Sequence, residues 1–148
     1  MFSKILLATD GSEHSLKAAS LALELAEKNS AQVEMIHVAQ YLHEPVPYTE
    51  LQVAIKLKDS QKFIARMKEQ GQEVVKKTAQ IFAEKNVPYT SKVEVGDPAD
   101  IICREAEEQG VDLIIIGTRG ISGVSRFLLG SVSSKVVSHA PCSVLVVR

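Results

Sequence analysis

The chain has 148 residues, 45% of them hydrophobic and 24% charged, which fits one soluble globular domain that buries roughly 70% of its unfolded surface without staples. Seventeen basic residues against eighteen acidic ones leave a net charge of −1, which argues against nucleic acid as a partner, since that needs a basic field. No apolar run nears the ~20 residues of a membrane span, MFSKILLATDGSEHS reaches Asp10 too soon for a secretory signal, and the two cysteines, Cys103 and Cys142, suit small buried thiols in a reduced cytoplasmic protein.

The first apolar run, KILLAT (4–9), is nearly continuous in Ile and Leu, as in a central parallel strand covered on both faces. Residues 12–28 carry a helical stripe of Leu16, Ala19, Leu23 and Ala26, with Ala18, Ala22 and Leu25 beside it. Ser12 is the expected cap of that helix and Asn29 its end. QVEMIHV (32–38) alternates more and reads as a strand nearer an edge. HEPVPY (43–48) reads as a loop, because prolines break helices. From 58 to 85, Phe63, Ile64, Met67, Val74, Val75, Thr78, Ile81 and Phe82 recur at helical spacing until Asn86 and Pro88 stop them. Gly71 interrupts that helix at a cost of about 1 kcal/mol relative to Ala. TSKVEV (90–95) is a third, alternating strand. In 97–109, Asp97 is the expected N-cap, Pro98 the first helical residue, and Gly110 the stop, with Ala99, Ile102, Cys103 and Ala106 inward. DLIIIG (112–117) is a second central strand, 131–139 a helix with Val132, Val136 and Val137 inward, and SVLVVR (143–148) the last strand.

Strict alternation of strand and helix predicts right-handed crossovers and one α/β domain over 1–148. Its core is an open five-stranded parallel sheet with helices on both faces. Ligands in such sheets bind outside the carboxyl ends of the strands, at the topological switch point. With strand order 3-2-1-4-5, the loop TDGS (9–12) and the segment after the fourth strand flank one crevice.

That segment, GTRGISGVSRFLLGSVSSKVVSHA (117–140), holds four of the eight glycines, many hydroxyls, two arginines and no acid. Gly117 ends a strand, and Gly120 lets backbone approach a ligand. Gly130 precedes a helix whose first N–H groups lack intrahelical partners, which makes an anion site. Ser131 and Ser133 add hydroxyls to its first turn. A polyphosphate suits these groups. The same residues also fit a strand-end turn and a plain helix cap. No Gly-Lys-Ser/Thr phosphate loop is present, and no Gly-x-Gly-x-x-Gly follows the first strand.

The spacing Gly117-x2-Gly120-x9-Gly130-Ser131 resembles the ATP-binding signature of the universal stress protein family, G-x2-G-x9-G-[ST]. KILLATDGSEHSLKAA, HVAQ, GDPADIICREAEEQGVDLIIIGTRG and HAPCSVLVV resemble the family in the same order along the whole chain. The resemblance implies a Rossmann-like sheet of the adenine nucleotide alpha hydrolase type, and ATP with Mg²⁺ bridging its phosphates. It implies that Asp10 lines the adenosine end, that Val38 meets adenine through its backbone, and that Ile116 and Gly117 flank the nucleoside. Gly120, Gly130, Ser131 and Ser133 would hold phosphates, with Val132 in the same turn. Arg119 stands where many members carry histidine and would add a phosphate contact, whereas Ser143 replaces a frequent proline. A homodimer through strand 143–148 follows from the resemblance and from the apolar edge VLVV (144–147), which must be covered.

Other residues invite plainer readings. Asp10-x-x-Glu13 fits a capping box. His14 and His37 have no Cys or His at ligand spacing and read as surface or half-buried imidazoles, and His139 suits a helix C-terminus. Ser125 and Arg126 either close over phosphates or are solvated, and Lys135 has no assigned part. Three functions stay open. One is an ATP-binding stress-response module with slow or no hydrolysis. The second is a phosphohydrolase or nucleotidyl transferase on the same scaffold. The third is a structural dimer with an empty pocket. The lack of Asp and Glu in 117–140 favours the first, since hydrolysis needs a positioned base and usually a held metal.

Overall fold

The five apolar runs form five parallel strands: β1 (Lys4–Ala8), β2 (Gln32–Ala39), β3 (Tyr89–Val95), β4 (Leu113–Gly117) and β5 (Ser143–Val147). The structure is a computed structural model and describes residues 1–40, 49–118 and 128–148, with residues 50, 51, 53–55 and 57 described by their backbone. The sheet order is β3-β2-β1-β4-β5, the order expected with the family resemblance, and all its pairs are parallel, as the alternation predicts. β1 pairs with β2 from Lys4↔Gln32 to Ala8↔Ile36, and with β4 from Ile5↔Leu113 to Leu7↔Ile115. These inner strands are covered on both faces, so Ile5, Leu6, Leu7, Ile114 and Ile115 are all fully buried. That is why their sequences are runs of Ile and Leu without alternation.

Four helices, α1 (Glu13–Asn29), α2 (Glu50–Ala79), α3 (Pro98–Glu108) and α4 (Ser131–His139), supply the two outer layers. Ile5, Leu7, Val33 and Met35 face one core, closed by Ala19, Ala22 and Leu23 of α1 and by Phe82. Leu6, Ile36, Ile114 and Ile116 face the other, closed by Ile102 and Ala106 of α3 and Val136 of α4. The α3 signposts act as read: Asp97 accepts from the Asp100 amide, Pro98 opens the helix, and Gly110 follows it at φ 61°.

Several expectations need correction. α2 begins at Glu50, not 58, because Thr49 and Gln52 form a capping box that the Thr-x-x-Gln spacing already offered. It ends at Ala79 and passes into a 3₁₀ turn, Gln80–Phe82. Asn29 is the last residue of α1, and Ser30 takes the left-handed cap at φ 55°. Leu16 is only half-buried, since the buried face of α1 runs through Ser15, Ala18, Ala19, Ala22, Leu23 and Ala26. Val137, expected inward, is exposed, as is Phe63 of the α2 repeat. Val137 lies beside the fully buried Val136, so spacing alone placed it one position out. The loop assigned to 43–48 lies outside the described residues.

Candidate functional site

β1 stops at Ala8, and the chain turns away through Thr9, Asp10 and Gly11, which takes φ 77°. From β1 the chain goes to α1 on one face, whereas from β4 it returns through α4 on the other. The strands therefore part at their carboxyl ends, where a switch-point crevice belongs. A cavity of about 640 Å³ lies there. Asp10 lines it from β1, Val38 from β2, Ile116 and Gly117 from β4, and Gly130, Ser131, Val132 and Ser133 from the start of α4. Arg119, Gly120, Ser125 and Arg126 lie outside the described residues.

The geometry of each group says what it has to offer. Asp10 is not a helix cap. Its carboxylate accepts from the Ser12 amide at 2.9 Å, while Ser12 caps α1 and Glu13 pairs with Lys17 at 3.1 Å. Gly117 is required by packing: a Cβ there would stand 2.9 Å from His14 Cβ and 3.0 Å from its carbonyl carbon. The first turn of α1 thus lies directly on the end of β4. Gly130 has φ −60° and ψ 158°, a conformation open to any residue, so a positive φ is not what selects glycine there. As N-cap it brings no side chain, which leaves the first-turn amides of α4 without a side-chain acceptor at the mouth of the crevice.

Ser131 is exposed at that mouth, but Ser133 is buried and its hydroxyl donates to the carbonyls of Thr118 and Gly130, at 2.9 and 3.0 Å. Ser133 therefore ties α4 to the end of β4, and its hydroxyl proton is already used. The residue it meets, Thr118, was not singled out from sequence. Thr118 receives the Gly130 amide at 2.7 Å, gives its own amide to Val147 at 2.8 Å, and places Oγ1 3.0 Å from His14 Nδ1. Thr9 is a second missed hydroxyl: its buried Oγ1 lies 2.8 Å from Thr78 Oγ1 and 3.2 Å from Ser15 Oγ. A threonine closing each central apolar run was the signal available for both.

Ala8, Ile36, Ile102 and Ile116 give the cavity an apolar wall, and Pro98 brings the start of α3 beside it. Lys135, unassigned from sequence, lies 3.8 Å from Asp97 and links α4 to α3. His139 bonds to the Lys135 carbonyl at 2.9 Å, a C-terminal structural contact. Asp10 is the single carboxylate among the described lining residues. Among the described residues, no group of three or more His, Cys, Asp or Glu is placed to hold a metal. The arrangement suits a molecule with a flat apolar part against the isoleucines and an anionic part at α4.

Away from the crevice, burial pushes the Glu34 carboxyl above its usual range, and the adjacent Glu105 pushes it further. Burial would raise Glu105 too, but hydrogen bonds from Lys92 and Glu34 outweigh it and hold Glu105 low. Burial also raises the thiols of Cys103 and Cys142, which are free and half-buried. Raised thiols hold little thiolate, which makes them poor nucleophiles.

Residues 1–148 match the universal stress protein family. The chain belongs to that family. It is 38% identical, over all of both chains, to the universal stress protein YxiE of Bacillus subtilis. Its fold superposes on the solved structure of hypothetical protein MJ0577 with a TM-score of 0.84 and 25% identity, covering 99% of this chain and 96% of that one. A family structure from Arabidopsis thaliana with AMP bound superposes at TM-score 0.64 and 19% identity, covering 98% and 90% of the two chains, a likeness of fold. The doubly covered parallel sheet inferred from alternation is thus the family's architecture. No helix among the described residues is long and apolar enough to cross a membrane.

Proposed function

We propose that this member of the universal stress protein family binds ATP, with Mg²⁺ bridging the phosphates, in the crevice between β1, β2 and β4. The observation that carries the reading is the convergence of Asp10, Val38, Ile116 and the α4 start on one cavity of about 640 Å³. That volume lies within the usual range for small-molecule sites. The adenine would lie against Ile36 and Ile116 with its edge toward the Val38 backbone. The phosphates would meet the first-turn amides of α4 and the Ser131 hydroxyl. That an Arabidopsis protein of this fold carries AMP supports a nucleotide of this class.

The protein would act as a nucleotide-responsive module rather than a fast enzyme. Asp10 lies across the cavity from α4 in this reading, and its carboxylate already holds the Ser12 amide. A nucleophilic water at the γ-phosphate would therefore lack a base. Calorimetry with ATP and magnesium tests binding: heat saturating at one ATP per chain is expected. Absence of both heat and thermal shift at millimolar ATP would sink the proposal. Turnover well below the ~1–10³ s⁻¹ of ordinary enzymes is expected. Phosphate release at such rates, abolished by Asp10→Asn, would turn the assignment to a phosphohydrolase.

A further inference from the structure

We infer that His37 is a positioning residue that ends the β1–β2 ladder and keeps the Val38 backbone edge open to the crevice; this deepens the nucleotide reading above and rests on it. The parallel ladder shows why a device is needed. Gln32 donates to Ser3, and Thr9 donates to Ile36 at 2.9 Å, so residues 32, 34, 36 and 38 turn their backbone groups toward β1. By the same alternation, Thr9 faces β2. The next rung would run from the Val38 amide to the Thr9 carbonyl. Among the described residues that rung is not made. The Thr9 carbonyl instead lies 2.8 Å from His37 Nδ1. A carbonyl can only accept, so Nδ1 carries the proton and donates.

The imidazole thus stands in for the missing amide. It satisfies the Thr9 carbonyl, lets the chain lift away at Asp10, and leaves the Val38 amide and carbonyl facing the cavity that both His37 and Val38 line. A free amide beside a free carbonyl on one strand edge matches a ligand with an acceptor next to a donor, such as the amino-substituted edge of a purine. The ring is held from behind by α2. At Gly71, a Cβ would stand 3.0 Å from His37 Cδ2 and 2.5 Å from Val93 Cγ1, so only glycine lets the helix lie this close. The glycine that interrupts the α2 pattern and the histidine without a metal partner in sequence therefore share one explanation.

Backbone amide exchange, read residue by residue by NMR, tests this in full-length protein without ligand. In the unmodified chain the Val38 amide is expected to exchange fast for an inner-strand position. In His37→Leu the freed Thr9 carbonyl takes the Val38 amide, and exchange should slow by more than about tenfold. His37→Asn keeps a donor where Nδ1 sits and should behave as the unmodified protein. Circular dichroism shows that each variant folds. Equal Val38 exchange in the unmodified and Leu proteins would overturn the inference. With ligand, His37→Leu should weaken ATP about tenfold, the worth of roughly one base-edge hydrogen bond, and leave inorganic tripolyphosphate binding unchanged. Equal loss for both ligands would also overturn it, because a general structural defect would do that. If the unmodified protein binds no ATP, the nucleotide reading falls, and the ligand-free exchange comparison still decides the part played by His37.

Discussion

Gly117 and Gly130 are both glycines of the same spacing pattern, yet they are held for different reasons. Gly117→Ala would place a methyl 2.9 Å from His14 Cβ and 3.0 Å from helix backbone. Backbone cannot move aside cheaply, so a loss of about 1–3 kcal/mol is expected, seen as a drop of several degrees in Tm. Gly130→Val meets no backbone strain at φ −60°. The variant should fold, with ATP affinity lowered by at least about tenfold because the side chain crowds the α4 amides. Unchanged affinity in calorimetry would make Gly130 a simple cap. Ser133→Ala removes the hydroxyl that joins α4 to Thr118 and should cost about 1 kcal/mol in urea unfolding. Ser131→Ala, at an exposed position, should leave stability unchanged and weaken ATP modestly. Spacing and residue type grouped these positions, and the structure places them around one cavity. Which of them are open to that cavity and which brace the scaffold depended on partners such as Thr118, outside their local pattern.

At the scale of elements, the α2 helix and the β2–β3–α3 contact each carry a test. Gly71→Ala improves helix propensity by about 1 kcal/mol, but its Cβ would meet Val93 and His37. A net loss of stability is expected on heating, and a net gain would show that the helix can shift without cost. In the other contact, Lys92 of β3 reaches Glu105 of α3 at 2.8 Å, and Glu34 of β2 lies close enough to Glu105 for the two carboxyls to interact. Burial, with the adjacent Glu105, raises the Glu34 carboxyl and so favours its protonated form. Glu94 and Lys4 also face this cluster. Because folding raises the Glu34 value above 4.5, its contribution is full below that pH and is lost as pH rises through the folded value. Glu34→Gln keeps a donor toward Glu105 and has no charge to bury. Measured from pH 4 to 8, its Tm relative to the unmodified protein should rise with pH and level off wherever Glu34 ionises in the fold. A constant offset across that range would show that Glu34 is already ionised in the fold.

For the whole molecule, β5 is an edge strand whose outer backbone groups are unpaired within the described sheet. Val144 and Val146 lie half-buried against one core, Leu145 and Val147 against the other. Pairing β5 with its twofold mate would cover both valine rows and satisfy both edges. We therefore expect a homodimer through Ser143–Val147, with Val146→Lys giving monomer by light scattering. A monomer for the unmodified protein at micromolar concentration would refute the interface. The edge also touches the site, since Val147 accepts the Thr118 amide.

The amino-acid sequence by itself determined the five strands, most helix limits and the glycine spacing, because those follow from local periodicity, caps and the lack of Cβ. Alternation with the chirality of crossovers gave the parallel sheet, while the order 3-2-1-4-5 went with the family resemblance and is the one observed. Only the tertiary structure decided that His37 meets Thr9 across 28 positions and that His14 meets Thr118 across 104. The reasons for Gly71 and Gly117 likewise lie in side chains of other elements. Such pairings depend on how closely packed layers approach, and no local pattern along one strand or helix records that distance.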